Sequence, residues 1–243
     1  MRYIIPYYSP VEDEINSMTD VQGRLRAFPT RRKDFKMYSK EKYPYKINFP
    51  AHVQKILLNS AGFSMPTISD KDYMLALEQY YFYNADERCI CVAPDAFLNP
   101  VKTMYNFKKW LLLTNNAKVA AVLQADTRHT MNVKDLMKQA EFYRKYTDII
   151  FFANPLLTAE NAKYLKVENL FKFLKQDLEV KYIHVLGAGW TLEEIKGWKS
   201  IAHFDSMDSI SYYSTKDVAA FGSLDPIENI KNIMKVMNDD ASI

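Results

Sequence analysis

Short apolar runs alternate with segments of helical periodicity along most of the chain. Seven of these runs have the length and composition of buried β-strands, and helices are predicted between most of them. The predicted strands lie within residues 2–8, 55–64, 88–95, 119–124, 149–154, 184–189 and 204–212. Val218–Phe221 is a candidate for an eighth strand. Strands that alternate with helices predict a parallel α/β fold, and eight of them favour a single (β/α)8 TIM-type barrel over an open doubly wound sheet.

Two helix starts are marked by local sequence signals. Thr191 and Glu194 have the spacing of a capping box, in which a hydroxyl and a carboxylate satisfy free N–H groups of the first turn. Asp225 followed by Pro226 predicts the start of the last helix, because proline is favoured in a first helical turn. A compact helix is therefore expected between the last two strands, and a closing helix near residues 227–237.

The composition is that of one globular domain. The chain has 243 residues, 48% of them hydrophobic, and no Ser/Gly/Pro-rich linker interrupts it, so we predict a single domain over residues 1–243. No run of eighteen apolar residues and no signal-peptide core are present, which predicts a soluble cytoplasmic protein with no membrane partner. Cys89 and Cys91 are predicted to stay unpaired, on opposite faces of one strand. The scattered histidines predict no metal site, and we expect no cofactor.

A basic and aromatic segment lies between Arg24 and Lys46. It carries nine lysines and arginines against Asp34 and Glu41, although the net charge of the chain is only +3. Because cations neutralise phosphates and aromatic faces stack on bases, this composition predicts a nucleic-acid-binding insertion after the first strand. A solvated irregular loop is the alternative. The candidate phosphate contacts are Arg24, Arg26, Arg31, Arg32, Lys33 and Lys36.

Polar and small residues collect where the predicted strands end. Parallel barrels place their active sites at the carboxyl ends of the strands, so these residues are expected to line one site. An acid and an amide could bind the edge of a heterocycle, small residues admit a ring, and a separate carboxylate could act as nucleophile or base. The glycines at 187 and 189 do not complete a dinucleotide fingerprint. The residues expected at this end are Asn59, Ser60, Asp95, Gln124, Asn154, Gly187, Ala188, Gly189, Asp205 and Asp208.

Several of these strand ends resemble the tRNA-guanine transglycosylase superfamily, barrel enzymes that exchange guanine in a nucleic acid for a 7-deazaguanine base. His184-Val-Leu-Gly-Ala-Gly resembles the family strand H-L/V-L/F/M-G-A/V-G, and Asp205-Ser-Met-Asp-Ser-Ile-Ser-Tyr is similar to the archaeal-type D-L-F-D-S-A-S-Y. Weaker similarities lie at 90–95, 122–125 and 59–64, the last to D-S-G-A/G-F/Y-Q. Together they span about residues 55 to 212 in the family's own order.

The resemblance implies a role for each matched residue. Asp208 takes the place of the family's nucleophile, which attacks C1′ of the target nucleoside, expels guanine and forms a covalent glycosyl-enzyme that the modified base then resolves. The target guanosine must first leave the base stack. The contacts implied for the flipped base are Asp95 and Gln124 on its edge, Ser60, Phe63 stacked on one ring face, and Leu186 on the other face.

Two departures from the family pattern change what we expect. The family's first motif begins with an aspartate thought to be the general acid/base, and Asn59 stands there in this chain. An amide cannot take the proton, so Asp95, Asp205 or a water would have to act, or the protein is a non-catalytic partner. The zinc-binding Cys/His set and the RNA-binding domains of the tRNA enzymes are missing, which favours the DNA-modifying branch.

We therefore expect a pentosyltransferase that acts on guanine in DNA, with a free 7-deazaguanine base as its second substrate. The alternative polymer is tRNA, and the alternative class is a non-catalytic nucleic-acid-binding homologue or subunit. An unrelated barrel hydrolase that uses Asp205 and Asp208 as a carboxylate pair ranks below these, because residues three apart at a strand end need not face one site. The 7-deazaguanine accepted, the target context and the oligomeric state stay open.

Overall fold

Eight parallel strands form a closed barrel in a computed structural model of the chain. Each strand pairs with the next one in sequence, and the last pairs with the first, so the expected (β/α)8 barrel is confirmed. The structure describes residues 1–6, 9–27, 49–59, 87–114, 119–125, 131–153, 157–209 and 218–239. The strands are β1 (Arg2–Pro6), β2 (Gly23–Ala27), β3 (Lys55–Asn59), β4 (Cys89–Val92), β5 (Val119–Gln124), β6 (Ile149–Ala153), β7 (Tyr182–Leu186) and β8 (Ser206–Asp208).

Helices lie between most of the strands and cover the outside of the barrel. Within the described ranges, none of them is both long and apolar enough to span a membrane. The helices are α1 (Glu12–Ser17), α2 (Pro100–Thr114), α3 (Val133–Arg144), α4 (Ala159–Tyr164), α5 (Val167–Lys172), α6 (Leu192–Lys199), α7 (Val218–Phe221) and α8 (Pro226–Asn238), with a 3-10 turn over Ser9–Val11 and a π-helical turn over Phe173–Asp177.

The two predicted helix starts are found, one of them with a changed partner. Asp225 accepts a hydrogen bond from the Ile227 N–H and so caps α8. Thr191 caps α6 by accepting from the Glu194 N–H at 3.1 Å. The Glu194 carboxylate does not turn back to Thr191 but accepts from the Ala159 N–H at 2.7 Å, which ties the start of α4 to α6. The Thr191 half of the capping box therefore acts within α6, whereas the Glu194 half connects α6 to α4.

The eighth strand is not the one that we expected. Val218–Phe221 forms α7, whereas Gly23–Ala27, at the start of the basic segment, forms β2 and pairs with β1 and β3. Gly-Arg-Leu-Arg-Ala has the period of two that is typical of a strand with one polar face, and its arginines had favoured a loop. The first residues of the predicted insertion at 24–46 therefore belong to strand β2 of the barrel wall. Residues 28–48 lie outside the described part of the chain.

Alternate residues of the strands fill two separate cores. One apolar cluster, which includes Leu57, Val122 and Phe151, fills the barrel interior, and a larger one lies between the strands and the helices. Cys89 and Cys91 form no disulfide with each other, and both belong to the outer core. The expectation that they face opposite ways was wrong, because side chains two positions apart on a strand share a face.

A glycine permits the close contact of α6 with α4. A Cβ added at Gly197 would lie 2.6 Å from the Ala159 Cβ, a distance that real carbon atoms do not reach. We expect Gly197→Ala to lower the free energy of unfolding, because overpacking costs about 1–3 kcal/mol and alanine gains only about 1 kcal/mol in helix propensity. Urea denaturation measures the change. Adding Ala159→Gly should restore part of the loss, and equal stability of Gly197→Ala and wild type would contradict the close packing.

Candidate functional site

Several strands end in a row of side chains that face the barrel interior. Gln124 pairs with Ala153, and Ala153 pairs with Leu186. The register of β7 on β8 then places Leu186 level with Asp208. Neighbouring strands lie about 4.8 Å apart, so three spacings separate Gln124 from Asp208 by about 14 Å along the sheet, and by less across the closed barrel. The register therefore places the ends of β5, β6, β7 and β8 at one end of the barrel.

Asp208 is a buried carboxylate at the carboxyl end of β8. Its Oδ1 accepts from His184 Nε2 at 2.9 Å and from the Gly187 N–H at 3.2 Å, and only 5% of the residue is exposed. Gly187 has a φ of +65°, a backbone conformation that favours glycine, where the chain turns after β7. Among the described residues, nothing donates a hydrogen bond to Oδ2. One carboxylate oxygen is thus held in place by two donors.

A chain of hydrogen bonds leads from Asp208 into the barrel interior. His184 Nδ1 lies 2.8 Å from Ser206 Oγ, and Ser206 Oγ lies 2.5 Å from Tyr182 Oη. His184 and Ser206 are completely buried. Burial raises the pKa of Tyr182 to about 12; the Ser206 hydrogen bond opposes this rise, and the charges of Asp205 and Asp208 add to it. The Tyr182 phenol therefore keeps its proton at neutral pH.

The sequence prediction missed the functional position of His184. His184 stands in the strand that suggested the resemblance, but no role was given to it there. The available signal was its place two residues before Leu186, because that spacing puts both side chains on the inward face of one strand. A polar residue on an otherwise apolar inward face requires a partner inside the barrel, and Asp208 supplies it.

Asp95 and Gln124 form a second polar pair at the same end of the barrel. Gln124 Nε2 donates to Asp95 Oδ2 at 2.6 Å, and Gln124 Oε1 accepts from the Leu98 N–H at 3.3 Å. Both members of the pair are buried. Gln139 bonds the backbone N–H and C=O of Gln124 through its own amide, so the end of β5 is fixed as well. Gln124 thus holds the loop that carries Asp95.

This pair predicts a pH-dependent variant. In Gln124→Glu the donor is replaced by a second carboxylate beside Asp95, and two buried carboxylates at this distance cannot both ionise cheaply. One of them therefore stays protonated to a higher pH in the folded than in the unfolded state. The stability that this proton supplies is present at low pH and lost as the pH rises. Relative to wild type, we expect a deficit of about 1–3 kcal/mol at pH 8 that shrinks toward pH 5.

Urea unfolding across this pH range measures the deficit. Gln54→Glu is the matched control, because Gln54 is exposed and accepts from the Arg2 guanidinium, which favours a carboxylate. The control should lose no stability at pH 8. A deficit in Gln124→Glu that is the same at pH 5 and pH 8 would contradict the hydrogen bond between Gln124 and Asp95.

Asp205 does not belong to this site. It precedes β8, and its Oδ2 accepts from Lys175 Nζ and from the Ile183 N–H, each at 2.7 Å. Its backbone pairs with Arg2 and Ile183, at the amino ends of β1 and β7. The expectation that Asp205 lines the site or takes a proton there was wrong, because Asp205 lies at the amino ends of β1 and β7, whereas Asp208 is the last residue of β8.

We had predicted that Arg24 is a phosphate ligand on a loop, but the structure places it elsewhere. It lies in β2 with 1% of its surface exposed, and it donates to both carboxylate oxygens of Glu12, at 2.8 and 2.7 Å, and to Asn16 at 3.0 Å. It therefore fixes α1 to the barrel. Arg26 also lies in β2, where its backbone pairs with Leu58. The other predicted phosphate contacts, Arg31, Arg32, Lys33 and Lys36, lie outside the described residues.

The remaining predicted site residues divide into three groups. Asn59 ends β3, two positions after the inward-facing Leu57, so it lies at the same end as Asp208. Ala188 is buried and packs in the outer core, so only its backbone could meet a ligand. Outside the described residues lie Ser60, Phe63 and Asn154.

In the described part of the chain, no three His, Cys, Asp or Glu side chains are grouped to hold a metal ion.

The fold and the site together define a (β/α)8 barrel with a buried, histidine-bonded carboxylate at the carboxyl ends of its strands. No protein-family model matches this sequence, and no curated protein matches it significantly. The side chains at this end of the barrel are therefore the features that indicate a function.

Proposed function

We propose that the protein is a nucleic-acid guanine transglycosylase that exchanges guanine in DNA for a 7-deazaguanine base. The observation that carries the proposal is the state of Asp208. Its Oδ1 is fixed by two donors at the carboxyl end of β8, and its Oδ2 receives no hydrogen bond from the described residues. A carboxylate held in this way can attack an electrophilic carbon.

The other residues at this end of the barrel support a ring-binding site beside Asp208. Leu186 is level with Asp208 on the neighbouring strand and half-buried, so it offers an apolar surface to a ring. Asp95 offers carboxylate chemistry that can accept from the N–H groups on the edge of guanine. Gln124 holds Asp95 in place for this contact. Ala153 and Leu186 lie between Gln124 and Asp208 in this row, so the two polar groups flank small and apolar side chains.

The proposed reaction has two displacement steps at the same carbon. Asp208 Oδ2 forms a bond to C1′ of the flipped nucleotide while the bond from C1′ to guanine N9 breaks, and the electron pair leaves with guanine, which takes up a proton. The incoming 7-deazaguanine then loses the proton on its own ring nitrogen and attacks C1′, and the electron pair of the ester bond returns to Asp208. The His184 and Gly187 donors stabilise the carboxylate that this second step releases.

A proton carrier is needed in both steps. Asn59 cannot serve, and Asp205 lies at the opposite end of the barrel. Asp95 is therefore the carboxyl that we assign to this role, directly or through a water.

The exchange reaction tests the proposal directly. The purified protein is incubated with labelled guanine or 7-deazaguanine and with duplex DNA, single-stranded DNA or tRNA. We expect label in DNA and a covalent protein–DNA adduct that survives denaturing electrophoresis. Label in tRNA alone would reassign the polymer, and neither label nor adduct with any nucleic acid would refute the transglycosylase.

A non-catalytic nucleic-acid-binding homologue is the second candidate, and Asn59 at the end of β3 is the observation that favours it. This candidate predicts binding that weakens steeply with salt, because cations at a phosphate backbone release counterions. It predicts no adduct on Asp208. The same incubation with and without denaturation therefore separates the two candidates.

A further inference from the structure

The hydrogen-bond chain behind Asp208 has a defined direction. A carboxylate can only accept hydrogen bonds, so His184 Nε2 must carry the proton in its contact with Asp208 Oδ1. With that tautomer of the neutral ring, Nδ1 accepts, and Ser206 Oγ–H is the donor. The single hydrogen of Ser206 is then used, so its oxygen accepts from the Tyr182 phenol. Each group has one hydrogen to give, and each gives it toward Asp208.

The surroundings hold this arrangement in place. The His184 ring lies against the Phe151 ring, with centroids 4.7 Å apart, which limits its rotation inside the barrel. Lys55 Nζ lies 5.1 Å from the centre of the Tyr182 ring at the other end of the chain of hydrogen bonds. The raised pKa of Tyr182 keeps the first donor protonated across the physiological range. A donor that stays protonated can fix the orientation of Ser206 permanently.

Ser206, His184 and Asp208 have the residue types of a hydrolase triad. In such a triad the serine attacks the substrate, whereas here the serine is buried and the carboxylate lies at the end of the barrel. Ser206 is completely buried in β8 and is occupied by Tyr182 and His184, so it is not placed to attack a substrate. Asp208 stands at the carboxyl end of the barrel, where substrates reach such folds. The reactive group is therefore the carboxylate, and the serine is the support.

We propose that Tyr182 and Ser206 are positioning residues that lock His184 as an Nε2–H donor, which holds Asp208 Oδ1 and makes Oδ2 the attacking oxygen. The role of Oδ2 as the attacking oxygen rests on the proposed function, whereas the tautomer of His184 does not. A fixed tautomer is valuable here because the other tautomer would present a lone pair to a carboxylate and repel it.

Nitrogen NMR of the histidine rings tests the tautomer without any reaction. The signal of His184 is assigned by its loss in His184→Gln. In wild type we expect a protonated Nε2 and an unprotonated Nδ1 that accepts a hydrogen bond. In Ser206→Ala, and to a smaller extent in the more conservative Tyr182→Phe, the Nδ1 signal should shift toward that of an unbonded nitrogen. Ser200→Ala, at an exposed serine at the end of α6, is the control that should leave the His184 signals unchanged.

Exchange kinetics test the positioning role. Ser206→Ala and Tyr182→Phe should lower kcat by up to about tenfold, the value of one hydrogen bond, with KM unchanged because neither residue touches substrate. His184→Gln, which keeps an N–H donor for Asp208, should retain more activity than His184→Leu, which keeps none. In a structure of the covalent adduct, the bond to C1′ should be on Oδ2.

The outcomes separate this inference from the proposed function. A His184 ring with Nδ1 protonated and Nε2 unprotonated, or unchanged signals in both Ser206→Ala and Tyr182→Phe, would overturn the tautomer lock. Wild-type kcat in all three of Ser206→Ala, Tyr182→Phe and His184→Leu would overturn the positioning role. The predicted tautomer together with no exchange on any nucleic acid would refute the transglycosylase and leave the lock standing.

Discussion

Asp208→Asn is expected to abolish guanine exchange and the covalent adduct, with a loss in kcat of at least about a thousandfold, since the removal of a nucleophile is among the most costly changes in an active site. The amide oxygen can still accept from His184 Nε2 and the Gly187 N–H, so the fold should be retained. What is lost is the negative charge that the proposed attack on C1′ requires. Incorporation of labelled base and the adduct on a denaturing gel measure the effect.

Asp205→Asn is the matched control for this prediction. It makes the same chemical change three residues earlier, at the amino end of β8, where the carboxylate pairs with Lys175 and the Ile183 N–H. We expect unchanged exchange and a modest loss of stability, about 1 kcal/mol, because the ion pair is partly exposed. A loss of exchange in Asp205→Asn with full activity in Asp208→Asn would contradict the assignment of the site.

Arg24→Ala should destabilise the protein more than any other variant considered above. The guanidinium is 1% exposed and donates to Glu12 and Asn16, so its removal leaves a carboxylate and an amide unpaired beneath α1 and deletes a long packed side chain. Breaking a buried ion pair by removing one partner costs about 3–5 kcal/mol. Urea denaturation should show a loss of this size.

Two further variants show whether the ion pair is the cause. Arg24→Met combined with Glu12→Leu should recover most of the stability, because an apolar pair of similar volume avoids the unpaired charge. Lys138→Ala removes an ion pair with Asp135 whose side chains are 75% and 56% exposed, and it should have no measurable effect. If Arg24→Ala had the same free energy of unfolding as wild type, the structural role of Arg24 would be contradicted, and Arg24 would again be a candidate phosphate ligand.

The sequence alone determined the class of fold and the ends of several elements. Apolar runs separated by helical segments predicted a parallel barrel, and Thr191 and Asp225 marked helix starts correctly. These features depend on neighbours a few residues apart, so they can be read from local order. The position of Asp208 at a strand end was available for the same reason.

Only the tertiary structure decided which polar groups are partners. His184 meets Asp208 across 24 positions of sequence, and Gln124 meets Asp95 across 29. Those contacts depend on the register of whole strands, which no local pattern specifies. Arg24 packs against α1 because Glu12 supplies a carboxylate for its guanidinium. Asp205 and Asp208 stand at opposite ends of β8, which is only three residues long. The chemistry of single residues follows from sequence, whereas their assignment to one site requires the closed barrel.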